Sequence, residues 1–178
     1  MKKIFIYIAI SVLSHTVVFS QTTWKQVSGS VSFKIKNAGV TVTGRFGGLN
    51  TALLFSPDKL SASSLKGSVE VPTLKTGIDK RDEDLQGDKY FDAGKYKLIE
   101  IKSTKLYKKG NEYAGLFNVA IKGVTKQVEI PFSFTQTGKE AEFKGDFTID
   151  RGDFGVGGKT LTMSETADVS IDIKAERK

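Results

Sequence analysis

The residues able to do chemistry in this chain are few. There is no cysteine, and the single histidine, His15, lies in an apolar N-terminal stretch. Without thiols there are no disulfides, thiolate metal sites or thiol nucleophiles. If the N-terminal stretch is removed, no imidazole remains either, which excludes most catalytic triads and most zinc sites. What is left is carboxylate, guanidinium and ammonium. Arg81-Asp82 is the most suggestive polar pair, because a planar guanidinium suits a phosphate or carboxylate head group. The plainer reading is a structural arginine that ties a helical segment to its surroundings. Asp82, Glu83, Asp84 and Asp88 are acidic enough for calcium, but they lack the regular spacing of a calcium loop and read as a solvated segment. Arg151-Gly152-Asp153 spells an adhesion tripeptide, and a loop arginine fixing the last turn is the simpler account. Gly155-Val156-Gly157-Gly158 follows no strand-to-helix pattern with a Lys-Ser/Thr ending, so it reads as a flexible loop and not a phosphate cradle. Paired carboxylates are the only plausible enzymatic machinery, and none of the 20 acidic residues sits in a recognisable motif. No metal and no cofactor is expected.

The segments that must position these groups are strands. The chain has 178 residues, a length that suits one domain, with 39% hydrophobic and 26% charged residues. Val31, Phe33 and Ile35 alternate with Ser32, Lys34 and Lys36, and the same period of two recurs through Val69 and Val71, Ile99 and Ile101, and Phe117, Val119 and Ile121. It continues through Val128, Ile130, Phe132 and Phe134, then Phe143, Phe147 and Ile149, and ends with Val169, Ile171 and Ile173. Each strand therefore has one buried and one wet face. Eight to nine such strands, joined by turns such as Asn37-Ala38-Gly39 and Lys109-Gly110-Asn111, predict a closed barrel or a sandwich. Residues 79–90 lack β-branched side chains and predict a short helix, and Pro57 opens a possible second helical turn.

The charge of +7 is spread out, and only four of the 27 basic residues are arginine. Lysines alternating with apolar residues belong on the wet face of a sheet, where they oppose edge-to-edge aggregation. Clustered arginine with interleaved exposed aromatics is missing, so nucleic acid is not an expected partner. Transient contact with an anionic membrane surface is compatible with the charge. Met1-Lys2-Lys3 followed by the apolar residues 4–19 reads as an export signal cleaved after Ser20. It is too short and too polar for a comfortable ~20-residue span. The domain proper is then 21–178, periplasmic or secreted.

Most of the 12 phenylalanines fall on the apolar side of these strands. A packed core is one use for them, and a barrel interior that encloses a small ligand is another. Alternation alone does not separate the two.

Five motifs, in order, resemble the YceI-like lipid/polyisoprenoid-binding family. Gly44-Arg45-Phe46-Gly47-Gly48 resembles its early G-x-F-x-G stretch, and Thr76 to Leu85 (TGIDKRDEDL) its T-G-x-x-x-R-D-x-H-L signature. Tyr90-Phe91-Asp92 with Lys95-Tyr96 is similar to F-F-D-x-x-K-Y-P, Ile121 to Lys126 (IKGVTK) to I-x-G-V-T-K, and Arg151-Gly152-Asp153-Phe154-Gly155 to R-x-D-F-G. Asp84 stands where the family commonly has histidine, and Lys97 where it has proline. The first departure removes imidazole chemistry or haem ligation at that position. The resemblance implies an all-β, lipocalin-like antiparallel barrel of about eight strands with a short helical segment. It also implies a non-enzymatic carrier of a polyisoprenoid or similar long-chain lipid, and is compatible with a homodimer. The expected pocket residues are Phe33, Phe46, Phe55, Phe117, Phe132, Phe134 and Phe147, with Arg81 at the head group. The competing expectations are an envelope module with a filled interior and a carboxylate-dependent hydrolase.

Overall fold

A computed structural model describes residues 22–178; the export signal expected at residues 1–20 lies outside the described residues. Eight strands run in chain order: β1 (Thr23–Asn37), β2 (Val40–Leu54), β3 (Ser64–Lys75), β4 (Leu98–Lys109), β5 (Glu112–Ile121), β6 (Val124–Thr137), β7 (Glu140–Asp150) and β8 (Thr166–Arg177). One helix, α1 (Asp79–Gln86), interrupts them between β3 and β4. Each strand pairs antiparallel with the next, and β8 returns to β1, so the sheet closes into a barrel with strand order equal to chain order. Closure removes the free edges that an open sheet of this length would expose. The expected helix over residues 79–90 forms but stops at Gln86. The turn expected after Pro57 is a short 3₁₀ segment, Leu60–Ala62. No described helix is long and apolar enough to cross a membrane.

Two of the hairpins are tight because the sequence supplies left-handed residues. Ala38 and Gly39 both have positive φ (49° and 79°), as do Lys122 and Gly123 (50° and 76°). Two consecutive positive φ values give the turn whose twist matches the flanking strands. β2 is a single 15-residue strand, although its alternation is broken by Gly44, Gly47 and Gly48. The pairing of β2 with β3 shifts register twice across this stretch, between Arg45 and Gly47 and between Gly47 and Asn50. Bulges of this kind bend a strand, which is how β2 follows the curve of the barrel.

The barrel has two unlike ends. At one, β1 begins at Thr23, residues 55–63 cross over, and the Gly110-Asn111 turn closes a hairpin. That end is packed solid. The Phe55 ring, fully buried, sits 4.8 Å from Phe134, 5.2 Å from Tyr113, 5.6 Å from Phe143 and 5.7 Å from Phe132, centroid to centroid. The Trp24 indole N–H donates to the Phe55 carbonyl at 2.9 Å, and its ring meets Phe134 edge-on at 5.5 Å. Such tilted and edge-to-face pairs contribute ~0.5–1.5 kcal/mol each beyond the area they bury. The other end carries α1, the connection 87–97 and the long loop 151–165.

Candidate ligand cavity

Between these ends the interior is hollow. A cavity of about 380 Å³ runs up the barrel, within the ~300–1,000 Å³ range of small-molecule sites. Its wall is the inward face that the period of two marks out, with Val31, Phe33 and Ile35 from β1, Phe143, Phe147 and Ile149 from β7, and Val169, Ile171 and Ile173 from β8 among its lining residues. Among the described residues the lining holds one carboxylate, Asp84.

Six of the eight residues expected at the pocket do line it: Phe33, Phe46, Arg81, Phe117, Phe132 and Phe147. Phe55 and Phe134 do not. Both lie below the cavity, in the aromatic cluster that seals the barrel. Phe134 has the inward parity expected of it, but parity fixes the face of a strand and not the height along the axis; Phe55 lies one residue past the end of β2, in the crossover. Sequence reasoning missed Leu85, Phe91, Phe154 and Val156, which reach the cavity from α1, the connection 87–97 and the loop 151–165. Their apolar character within the polar runs DEDLQGDKYF and RGDFGVGG was one available signal, and the places of Leu85, Phe91 and Phe154 in the family-like motifs were another.

Those segments are held by specific polar contacts. Phe91 packs edge-on against Phe46 at 5.5 Å, and Phe46 in turn lies 5.7 Å from Phe33. The ladder between β6 and β7 covers only Ser133–Thr137 and Glu140–Lys144. Above it the two strands part, and Phe154, on the short 3₁₀ turn Gly152–Phe154, is buried beside β6. Arg151 is buried and spends its guanidinium on the loop's own carbonyls: Ser164 at 2.8 Å, Val156 at 2.8 Å, Gly158 at 2.6 Å and Met163 at 3.4 Å. The adhesion tripeptide is thus a loop clamp. The loop and the connection 87–97 are joined where the Gly157 N–H donates to the Lys89 carbonyl at 2.9 Å, and the Lys122 ammonium, from the turn between β5 and β6, bridges them by donating to the Gly155 carbonyl at 3.0 Å and the Lys89 carbonyl at 3.4 Å.

Arg81 is at the cavity and also tied down. Its Nε donates to the Thr76 hydroxyl and its Nη2 to the Thr76 carbonyl, both at 2.8 Å. Asp82 completes the knot from the other side, accepting from the Thr76 N–H at 2.8 Å and the Thr76 hydroxyl at 2.6 Å. Asp84 pairs with Lys80 at 3.2 Å, on the exposed side of α1. The Thr76 hydroxyl is the main reason that the Asp82 carboxyl titrates below its ordinary value; the Thr76 N–H and Lys75 add to the effect, and burial opposes it. A carboxyl depressed in the folded state stabilises the fold above its unfolded pKa, and that contribution disappears as pH falls through the lowered value. Acid should therefore loosen the α1 end before the rest of the barrel. Hydrogen-exchange protection at residues 76–86, taken relative to the intrinsic rate at each pH, should fall on acidification, and Asp82→Asn should remove that pH dependence; an unchanged pH profile in the variant would refute the assignment.

A family model described as YceI-like domain matches residues 23–175. A UPF0312 protein of Vibrio cholerae is 26% identical over 164 residues, covering 86% of this chain and 85% of the relative. Among solved structures, BcnA of Burkholderia cenocepacia superposes with a TM-score of 0.79 at 24% identity, covering 83% of this chain and 96% of that one. A polyisoprenoid binding domain from Saccharophagus degradans superposes with a TM-score of 0.69 at 15% identity, covering 89% and 99%. At these identities the structural likeness establishes the fold.

Proposed function

Because the chain belongs to the YceI-like domain family, we propose that its barrel binds a polyisoprenoid or similar long-chain amphiphile, without catalysis, and that it does so after export to a periplasmic or extracellular space. The carrying observation is the cavity: about 380 Å³ of space behind a wall of Phe, Ile, Leu and Val side chains. The Saccharophagus degradans domain, whose described ligand class is polyisoprenoid, shares this fold and supports the ligand class.

Energetics favour the same reading. Burial contributes ~0.8 kcal/mol per methylene, so a five-carbon prenyl unit supplies ~3–4 kcal/mol. Micromolar binding needs ~8 kcal/mol, and association itself costs at least ~4 kcal/mol. About three buried units therefore suffice without a strong polar anchor. A filled-interior envelope module is the weaker alternative, since it gives the void no role.

Organic extraction of the purified protein, followed by mass spectrometry, should recover a stoichiometric long-chain lipid. Lipid-free protein that also rejects added isoprenoids would defeat the proposal.

A further inference from the structure

The ladder that closes the barrel is interrupted in mid-wall, between β1 and β2. Thr23 and Trp24 pair with Leu54 and Leu53, and pairing resumes only at Val31 with Phe46. Between these points, among the described residues, 25–30 and 47–52 have no partner across the boundary. The register nevertheless agrees on both sides, because each strand advances by seven residues, 24 to 31 and 53 to 46. Neither strand has gained a residue on the other; the two run side by side without bonding.

The segments that face each other there are also loose on their far sides. Val27 falls where the pairing of β1 with β8 shifts, between Gln26 and Ser28, and it is 60% exposed. Gly48 and Leu49 fall in the shift between Gly47 and Asn50, so they pair with neither β1 nor β3. Two side chains stand in for the ladder. The Gln26 amide donates from Nε2 to the Leu49 carbonyl at 3.1 Å, and its Oε1 accepts from the Thr51 hydroxyl at 2.9 Å. Leu49 reaches across the seam: a Cβ on Gly29 would stand 2.6 Å from its Cδ2, so the leucine methyl lies against the bare backbone of Gly29. Leu49 and Thr51 both line the cavity, so the inner side of the seam is cavity wall.

The α1 end is held more firmly. Arg151 bonds four carbonyls there, Thr76 ties Arg81 to Asp82, and Phe154 is buried where β6 and β7 part. Opening the seam breaks two side-chain hydrogen bonds and lifts one leucine, with no ladder bond across it to break. From this contrast we infer that the β1–β2 seam is a side passage through which a lipid tail enters and leaves the barrel, with Gln26 and Leu49 as its latch. The inference rests on the lipid-binding reading above and adds the route. Val27 gives the incoming tail an apolar lip on the outside, and Leu49 receives it within.

Stopped-flow uptake and release of all-trans-retinol, an isoprenoid alcohol whose fluorescence rises in apolar surroundings, test the passage. Gln26 is not part of the cavity lining. Gln26→Ala should therefore speed uptake and release together by ~10-fold, equivalent to ~1.4 kcal/mol off the opening barrier, and leave Kd within ~2-fold. The chain has no cysteine, so a thiol cross-link can be placed cleanly. Val27→Cys with Asn50→Cys, set opposite each other by the register, can be joined by a short bis-thiosulfonate reagent. That link should slow both rates at least ~10-fold, and reductant should restore them. The same reagent on Lys34→Cys with Thr43→Cys, opposite each other in the paired part of β1 and β2, should change neither rate. The cross-linked pair decides alone if Gln26→Ala does not fold. Native rates in the seam-linked protein or in folded Gln26→Ala, or equal slowing by both links, would overturn the passage and leave lipid binding intact. If the native protein takes up neither retinol nor a linear prenyl alcohol, the lipid-binding reading fails and the passage with it.

Discussion

Replacing Phe147 by aspartate should weaken lipid retention at least ~100-fold, the largest binding effect expected from any single wall residue. Phe147 lines the cavity midway along β7, opposite Val169 on β8, and it is only partly buried, so the fold does not depend on its ring. A carboxylate there must either stay ionised against hydrocarbon or take up a proton, and each costs several kcal/mol. A factor of 100 needs only ~2.7 kcal/mol. Phe132 is a poorer target, because it belongs to the floor and its charged variants would damage the aromatic cluster. Phe147→Leu keeps the wall apolar and should retain most of the binding. Arg81→Ala should change retention less than ~10-fold, since Nε and Nη2 of that guanidinium are already engaged by Thr76. Extracted lipid per mole of protein, measured by mass spectrometry on the three variants, ranks the contributions. If Arg81→Ala loses more lipid than Phe147→Asp, head-group recognition and not the apolar wall holds the ligand.

That experiment depends on knowing which phenylalanines face the guest, and here sequence and structure contribute differently. The face of each strand is legible in the chain. Val169, Ile171 and Ile173 alternate with polar residues because one side of β8 meets the interior and the other meets water. Height is not legible, because it arises only when the barrel closes. Phe132 and Phe134 share one face of β6, yet Phe132 borders the cavity and Phe134 lies under it. Glycines hide β2 for a related reason. The bulges around Gly47 and Gly48 suspend the alternation where the strand bends, and at Gly48 (φ +64°) a Cβ would stand 2.5 Å from the Glu70 side chain. The cavity residues furthest from sequence reasoning, Leu85, Phe91 and Phe154, lie outside strands and have no period to betray them. Arg151 is the opposite case. Composition alone makes a loop-fixing arginine the plain reading, and four carbonyls around one guanidinium are what that reading looks like in three dimensions.

Arg151→Met should lower stability by ~3–5 kcal/mol, which in a domain of this size shifts Tm by roughly 10 °C. The guanidinium is buried and serves carbonyls of Val156, Gly158, Met163 and Ser164 together, so its loss leaves several acceptors short of donors. Each acceptor left unsatisfied in a buried place costs ~1–3 kcal/mol. Lysine should recover less than half of the loss, because a single ammonium on a flexible stem cannot reach carbonyls spread around a planar fork. The backbone around it is equally committed: the Arg151 N–H donates to the Glu165 carbonyl at 2.9 Å, and the Val156 N–H to the Arg151 carbonyl at 3.0 Å. Phe154, Val156 and Met163 line the cavity from this same loop, so loosening it opens the wall where β6 and β7 part. Thermal melts should therefore fall together with lipid residence time in Arg151→Met, whereas Phe147→Asp should reduce lipid retention with a smaller fall in Tm. A lysine variant that melts with the native protein would show that charge, and not the fork, is what the loop requires.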